Sequence, residues 1–446
     1  MIANSESHVH LVVLVHGLWG NPAHLMELNR HILQRYHTDS SVELLLVSSI
    51  SDDLTYDGID WGGERIAQEV IGKIRDIEAG GRAVTKFSTI GYSLGGLVCR
   101  YLVGIMRQKG YLQDGSLSTA HYMKPLNFVT IATPHLGIPR YPGLLHSLFS
   151  AVGDSLLSRT GRQLCLSDSW SELDTPRKRC NKRPLLEIMA DPDQVFYIAL
   201  SMFENVAVYA NAVNDLSVPY MTGAIETQDP FYADEACHIE AELDGEYSPI
   251  LKSWRAERSF DTREKRRRSV LPSYLRFDFP YNMLIYSLLP LLAPAFIGAA
   301  VIRLGISARK SRVRIRALEK DVSFTEALWH SIEVLQNDMQ TRDVQPSGLT
   351  ANVDIQQSEA VSTGTVLEET ASSAKTDSRK HLPGFNDKQI AMSRSLNDLP
   401  NLRKFLVWIH PIRNSHAHIV CRDIKTIPSQ KIGEGVLRHV ADHLLI

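Results

Sequence analysis

The residues best suited to chemistry are one serine, one aspartate and three histidines, widely separated in the chain. Ser93 lies in "FSTIGYSLGGLVCRYLVG" (87–104), flanked by Gly91 and Gly95 and followed by Gly96. The residues before it read as a strand, and those after it as a helix with Leu, Val and Leu on one face. A sharp strand–serine–helix turn lifts the hydroxyl above a sheet. It also points the amide of the next residue, Leu94, at a developing oxyanion, and the helix N-terminus adds its positive dipole end. Such a turn is crowded, so glycine is needed where a β-carbon would clash. The chemistry implied is attack on a carbonyl carbon, which needs a base to take the serine proton and a second oxyanion donor.

A second stretch supplies that donor. In "VLVHGLWGN" (13–21) a strand ends at His16-Gly17 and a loop continues through Leu18, Trp19 and Gly20. The Leu18 amide is the expected second donor, and His16 is read as a brace for the loop with no part in proton transfer. The acid should follow the serine at the end of a later strand. "VYANAVNDLSVPY" puts Asn214-Asp215 directly after an apolar run, so Asp215 is the expected acid; the alternative is an Asx turn that merely ends the strand. The base should come last, and "IHPIRNSHAHIVCRD" offers three histidines. His410 still belongs to a strand end, His416 lies in the loop, and His418 begins an extended apolar run. Loop position favours His416 over His418.

Distant residues of this kind need a rigid frame. Apolar runs at 9–17, 42–50, before Ser93, 126–137, 205–215 and 402–411 predict six strands. Helical spacing follows Pro22, fills 61–81, follows Ser93 and closes the chain at 433–445. Alternating strands and helices predict an α/β fold with a mostly parallel sheet covered on both faces. The 446 residues leave room for a large core with insertions. A net charge of −2 gives no reason to expect nucleic acid as a partner. The five cysteines include no C-x-x-C pair, so neither a disulfide framework nor a zinc site is indicated. The opening "MIANSESHVH" lacks the features of a signal peptide.

The expected organisation is a core over 1–226, with a lid-like insertion at 138–204, completed by 401–446. A second insertion covers 227–336, and a polar segment at 337–400 has a disordered composition. Within the first insertion, "YPGLLHSLFSAVG" reads equally as a lid helix or as a crossover helix packed on the sheet. Residues 281–302, "YNMLIYSLLPLLAPAFIGAAVI", carry no charge, contain Pro290 and Pro294, and lie between "REKRRR" (263–268) and "ARKSRVRIR" (308–316). Two basic flanks favour the same side of a membrane, and proline breaks or bends a helix. The preferred expectation is a hairpin of two short helices dipping into one leaflet. A buried core helix and a single span are the alternatives. Each basic residue near an anionic surface would add about 1 kcal/mol.

Six blocks together resemble one family: "LVHGLWGNPAHL", "GYSLGGLVCRYLVG", "VTIATPHLGIP", "LLSRTGRQLCLSD", "VYANAVNDLSVPYMTGAI" and "NSHAHIVCR". They are similar to the putative serine esterase (DUF676) family of lipase-like α/β-hydrolases, particularly its fungal members. The resemblance covers nearly everything to residue 226 and the last forty or so residues. It implies an α/β-hydrolase fold, a triad of Ser93, Asp215 and His416, no cofactor and no metal. Ser415-His416 with Ile419 matches the family's last block, which supports His416. Relatives with acylglycerol and droplet phospholipid substrates imply lipid ester hydrolysis on a lipid droplet or the cytosolic face of the endoplasmic reticulum. Phospholipid is the first substrate class expected. Mono- or triacylglycerol hydrolysis, acyl transfer with the same triad, and an inert droplet scaffold are the alternatives.

Overall fold

Each of the six apolar runs read as a strand is one. The computed structural model describes residues 7–112, 122–139, 156–169, 183–231, 237–258, 281–318 and 384–446. Its strands are β1 (Ser7–Val15), β2 (Val42–Leu46), β3 (Arg82–Tyr92), β4 (Lys124–Ile131), β5 (Asn205–Asn211), β6 (Cys237–Leu243), β7 (Leu251–Arg258) and β8 (Leu402–Val407). Six of them form one sheet in the order β2–β1–β3–β4–β5–β8, with every pairing parallel. This is the α/β-hydrolase architecture expected. Strands buried on both faces explain the unbroken apolar runs. Along β1, Val9, Leu11, Val13 and Val15 point into one core, and Val12 and Leu14 into the other.

The helices are α1 (Met26–Arg35), α2 (Ile59–Ala79), α3 (Leu94–Gln108), α4 (Ser158–Leu164), α5 (Leu185–Met189), α6 (Val195–Ser201), α7 (Tyr220–Gly223), α8 (Tyr281–Leu318), α9 (Asp387–Asn397) and α10 (Glu434–Asp442). Apolar residues of α2, α3 and α6 fill the core on one face of the sheet, and those of α1 and α10 fill the other.

Register sets the level of the site. Val15 pairs with Gly91, Tyr92 with Ile131, and Asn211 with Val407. The C-terminal ends of β1, β3, β4, β5 and β8 therefore lie along one edge, and the loops carrying the candidate residues leave from it.

Three expectations change. The 281–302 segment is not a pair of short helices meeting at the prolines. The backbone is one helix, α8, from Tyr281 to Leu318, passing through Pro290 and Pro294. Each proline removes one donor and one turn's hydrogen bond, but a helix this long continues on the bonds either side. Among the described residues, no helix is long and apolar enough to cross a membrane. Part of the polar 337–400 segment is structured. Asn386 and Gln389 form a capping box that starts α9, and Met392 and Leu396 are buried against the core. Composition averaged over so long a stretch hides one short capped helix; residues 337–383 lie outside the described residues. Finally, β6 and β7 form an antiparallel hairpin that was not foreseen, joined to β8 by the Ile250–Val407 bridge. The "YPGLLHSLFSAVG" stretch also lies outside the described residues.

Candidate active site

Ser93 sits between β3 and α3 with φ 55° and ψ −126°, a conformation side chains rarely adopt. Surrounding bonds hold it there: its amide donates to the Ile131 carbonyl (2.9 Å), and its carbonyl accepts from the Gly96 amide (3.1 Å). The glycines answer to sterics. A β-carbon on Gly91 would stand 2.4 Å from Gly96 Cα, and one on Gly95 would stand 2.3 Å from the Val15 carbonyl oxygen. A side chain on Gly17 would meet Ser93 Cβ at 2.7 Å, so the loop after β1 lies directly against the serine.

Asp215 follows β5 in a turn built around its carboxylate. Oδ1 accepts from the Ser217 and Val218 amides (2.9 and 2.8 Å), and Oδ2 accepts from the Asn211 side chain (2.8 Å). His416 completes the arrangement. Its Nδ1 lies 2.9 Å from Asp215 Oδ2 and its Nε2 lies 3.0 Å from Ser93 Oγ. The acceptor-rich carboxylate requires a proton on Nδ1, which leaves Nε2 free to accept from the serine hydroxyl. The Asp215 side chain is only 1% exposed and that of His416 11%, so both work largely out of water.

Two backbone ties register the histidine loop on the aspartate loop. The Ser415 amide donates to the Asn214 carbonyl (2.8 Å) and the Ser415 hydroxyl to the Val213 carbonyl (2.9 Å). From below, the Tyr92 hydroxyl donates to the His416 carbonyl (2.9 Å). Burial pushes that phenol's pKa up, so it stays protonated and able to donate. The structure thus brings Ser93, Asp215 and His416 together. His410 is exposed at the end of β8, and His418 faces Ser429 Oγ at 3.3 Å.

The two expected oxyanion amides flank Ser93. Leu94 is the first residue of α3, so its N–H is among those a helix start leaves without an intrahelical acceptor. In the loop after β1, the Gly20 amide donates to the Gly17 carbonyl (3.0 Å) and the Trp19 amide to Thr55 Oγ1 (3.1 Å); neither bond uses the Leu18 amide. His16 does brace this loop. It is buried, burial pushes its pKa down, and its Nδ1 lies 3.1 Å from the Gly17 carbonyl. Among the described residues no group of three or more His, Cys, Asp or Glu is placed to hold a metal ion.

Sequence reasoning missed Asn211, Tyr92 and Ser415 as supports. Asn211 carried a weak signal, a polar residue closing an apolar strand four positions before the acid. Tyr92 carried none, because its partner is 324 positions away.

Residues 5–230, just over half the chain, match the family described as "Putative serine esterase (DUF676)". The chain is 32% identical over 238 residues to "Putative lipase C4A8.10" of Schizosaccharomyces pombe, a match covering 51% of this chain and 27% of that protein. It is 27% identical over 230 residues to "Putative lipase ROG1" of Saccharomyces cerevisiae, covering 50% and 30%. The chain therefore spans less than a third of the length of these relatives. Among solved structures, Bacillus licheniformis lipase BlEst2 in its propeptide form is 16% identical with a TM-score of 0.28, covering 46% of this chain and 36% of that one. Phospholipase PlaB from Legionella pneumophila, in complex with thio-NAD, is 15% identical with a TM-score of 0.28, covering 57% and 49%. The sequence match rests on the segment that carries the elbow, the loop after β1 and Asp215, and by it the chain belongs to the putative serine esterase (DUF676) family.

Proposed function

We propose that the protein is a serine-dependent lipid ester hydrolase. The observation that carries the reading is His416 bridging Ser93 Oγ and Asp215 Oδ2 at 3.0 and 2.9 Å, at the C-terminal edge of a parallel sheet. Ser93 Oγ attacks the ester carbonyl carbon while its proton passes to His416 Nε2. Asp215 fixes the tautomer and stabilises the imidazolium. The Leu18 and Leu94 amides hold the carbonyl oxygen as it becomes an oxyanion. His416 then returns the proton to the leaving alcohol. A water, deprotonated by the same nitrogen, releases the acid and restores the serine.

Lipid as the substrate class follows from the relatives named lipases and from the outer face of α8. Ile302, Ile306, Arg309, Val313 and Arg316 recur at helical spacing along one exposed stripe, opposite the buried Ser307, Ala308, Ser311 and Ile315. Apolar residues alternating with arginines suit an anionic lipid surface. We take the site of action to be a droplet or the cytosolic face of a membrane, with phospholipid the first substrate class and acylglycerols the second.

The test is a lipid-class panel with wild type and Ser93→Ala, scored for free acids and lyso-lipids alongside fluorophosphonate labelling. The expected result is release and labelling by wild type alone. Undiminished labelling of Ser93→Ala would remove Ser93 from the mechanism. Reversing the charge at Arg309 and Arg316 (Arg309→Glu with Arg316→Glu) should abolish flotation with anionic vesicles, and undiminished flotation refutes the surface role of that stripe.

A further inference from the structure

Helix α8 reaches the loop after β1 through one short segment. On its inner side, Arg314 Nη2 donates to Asp57 Oδ1 and to the Asp53 carbonyl, both at 2.8 Å, and Nε donates to Asp57 Oδ2 at 3.1 Å. Ser307 Oγ donates to Asp53 Oδ1 at 2.9 Å. The Asp57 side chain is wholly buried and also takes Arg65 Nη2 at 2.7 Å. From its other side the segment is held by α4, where Thr160 Oγ1 donates to the Thr55 carbonyl (2.7 Å).

The same segment grips the loop. Thr55 Oγ1 accepts from the Trp19 amide (3.1 Å), the Tyr56 hydroxyl accepts from Trp19 Nε1 (2.7 Å), and the Asp52 amide donates to the Gly20 carbonyl (2.8 Å). Trp19 needs this grip. Its φ is 55°, unfavourable for a bulky side chain, and such a conformation persists only where neighbours over-determine it. Relaxing Trp19 would swing the Leu18–Trp19 peptide and, through Leu18, disturb the Gly17–Leu18 peptide that carries the Leu18 amide.

We propose that Arg314 is a positioning residue for ester hydrolysis. Through Asp57 and the 52–56 segment it holds Trp19 in the left-handed conformation, and so aims the Leu18 amide at the oxyanion. This rests on the hydrolase reading above. It makes α8 part of the catalytic frame, with one face turned to solvent and the other fixing an oxyanion donor.

The test uses the full chain and a soluble p-nitrophenyl ester, so that lipid binding plays no part. In Arg314→Ala, Asp57 keeps the Arg65 cation on Oδ2 and only its Oδ1 is left without a partner. Tyr56→Phe removes the hydroxyl that accepts from the Trp19 indole. An oxyanion donor is worth about 10²–10³-fold in turnover; a misaimed one should lose part of that, about tenfold or more in kcat, with KM within a few-fold, and Arg314→Ala should also melt somewhat lower because Asp57 Oδ1 loses its partner. Because both substitutions act through Trp19, the double variant should fall short of the product of the single losses. Unchanged kcat in either single variant, a change confined to KM or melting temperature, or a multiplicative double variant would overturn the proposal. If Arg314→Ala does not fold, Arg314→Gln replaces it in the same cycle. Ser93→Ala in the same assay separates the two readings. If it stays active, the hydrolase reading falls. If it is dead while Arg314→Ala keeps wild-type kcat, only the positioning role falls.

Discussion

Replacing Asp215 by asparagine tests the site through one side chain whose orientation the fold dictates. Two backbone amides, those of Ser217 and Val218, donate to Oδ1. They cannot turn, so the asparagine must keep its carbonyl oxygen there. Its NH2 then occupies the place of Oδ2 and faces His416 Nδ1. Asn211 can follow by turning its own amide, since its Oδ1 is buried without a partner. His416 has only one way to comply: Nδ1 must accept, so the ring proton moves to Nε2. That nitrogen, 3.0 Å from Ser93 Oγ, can then no longer take the serine proton. For a triad acid held in this way the exchange costs about 10⁴-fold in turnover, or about 5 kcal/mol of transition-state stabilisation. The volume is unchanged and only the turned Asn211 amide gives up an acceptor, so the fold should stay within about 1–3 kcal/mol of wild type. The assay is kcat on a soluble ester, with active-site titration and a thermal melt on the same preparation. A correctly folded Asp215→Asn that turns over within tenfold of wild type would refute the assigned tautomer, and with it the role of Asp215.

Two more predictions probe the frame. In Gly95→Ala the new methyl would stand 2.3 Å from the Val15 oxygen and 2.6 Å from the His16 oxygen, where ordinary contact begins at 3.4 Å. The end of β1 must retreat by about 1 Å, carrying the Gly17–Leu18 loop with it; turnover should fall about 10²-fold and stability by about 1–3 kcal/mol, and wild-type kcat with an unchanged melt would contradict this packing. Glu64 in α2 is buried, and burial pushes its carboxyl up to about 7, with Lys109 opposing and Asp60 adding to the shift. A carboxyl raised in the folded state contributes stability below its unfolded pKa and loses it as pH rises through the folded one. Glu64→Gln should therefore gain about 3 kcal/mol on wild type between about pH 5 and about pH 8. Parallel stability–pH curves from denaturant melts would show that Glu64 does not titrate there.

How much of this was written in the chain can be traced residue by residue. The elbow was legible because its cause is local: Ser93, Leu94 and the glycines that relieve their crowding are neighbours in sequence. The six strands were legible because burial on both faces leaves long apolar runs. Asp215 and His416 were legible in type and order, while the choice of His416 over His418 drew on loop position and family pattern as well.

Other features were not visible in one dimension. Composition suggested disorder across 337–400, yet a single capping box at Asn386 and Gln389 orders α9, because two side-chain hydrogen bonds and a buried Met392 outweigh polar neighbours. Two prolines suggested a hairpin, yet the helix runs through both. The Arg314–Asp57 pair, the Tyr92–His416 tie and the Asn211–Asp215 bond join residues whose spacing carries no pattern. The sequence determined which groups could act and in what order they arrive. Only the parallel register, which levels the ends of β1, β3, β4, β5 and β8, decided that they meet, since hydrogen-bond distances of about 3 Å depend on where whole strands end, not on any local run of residues.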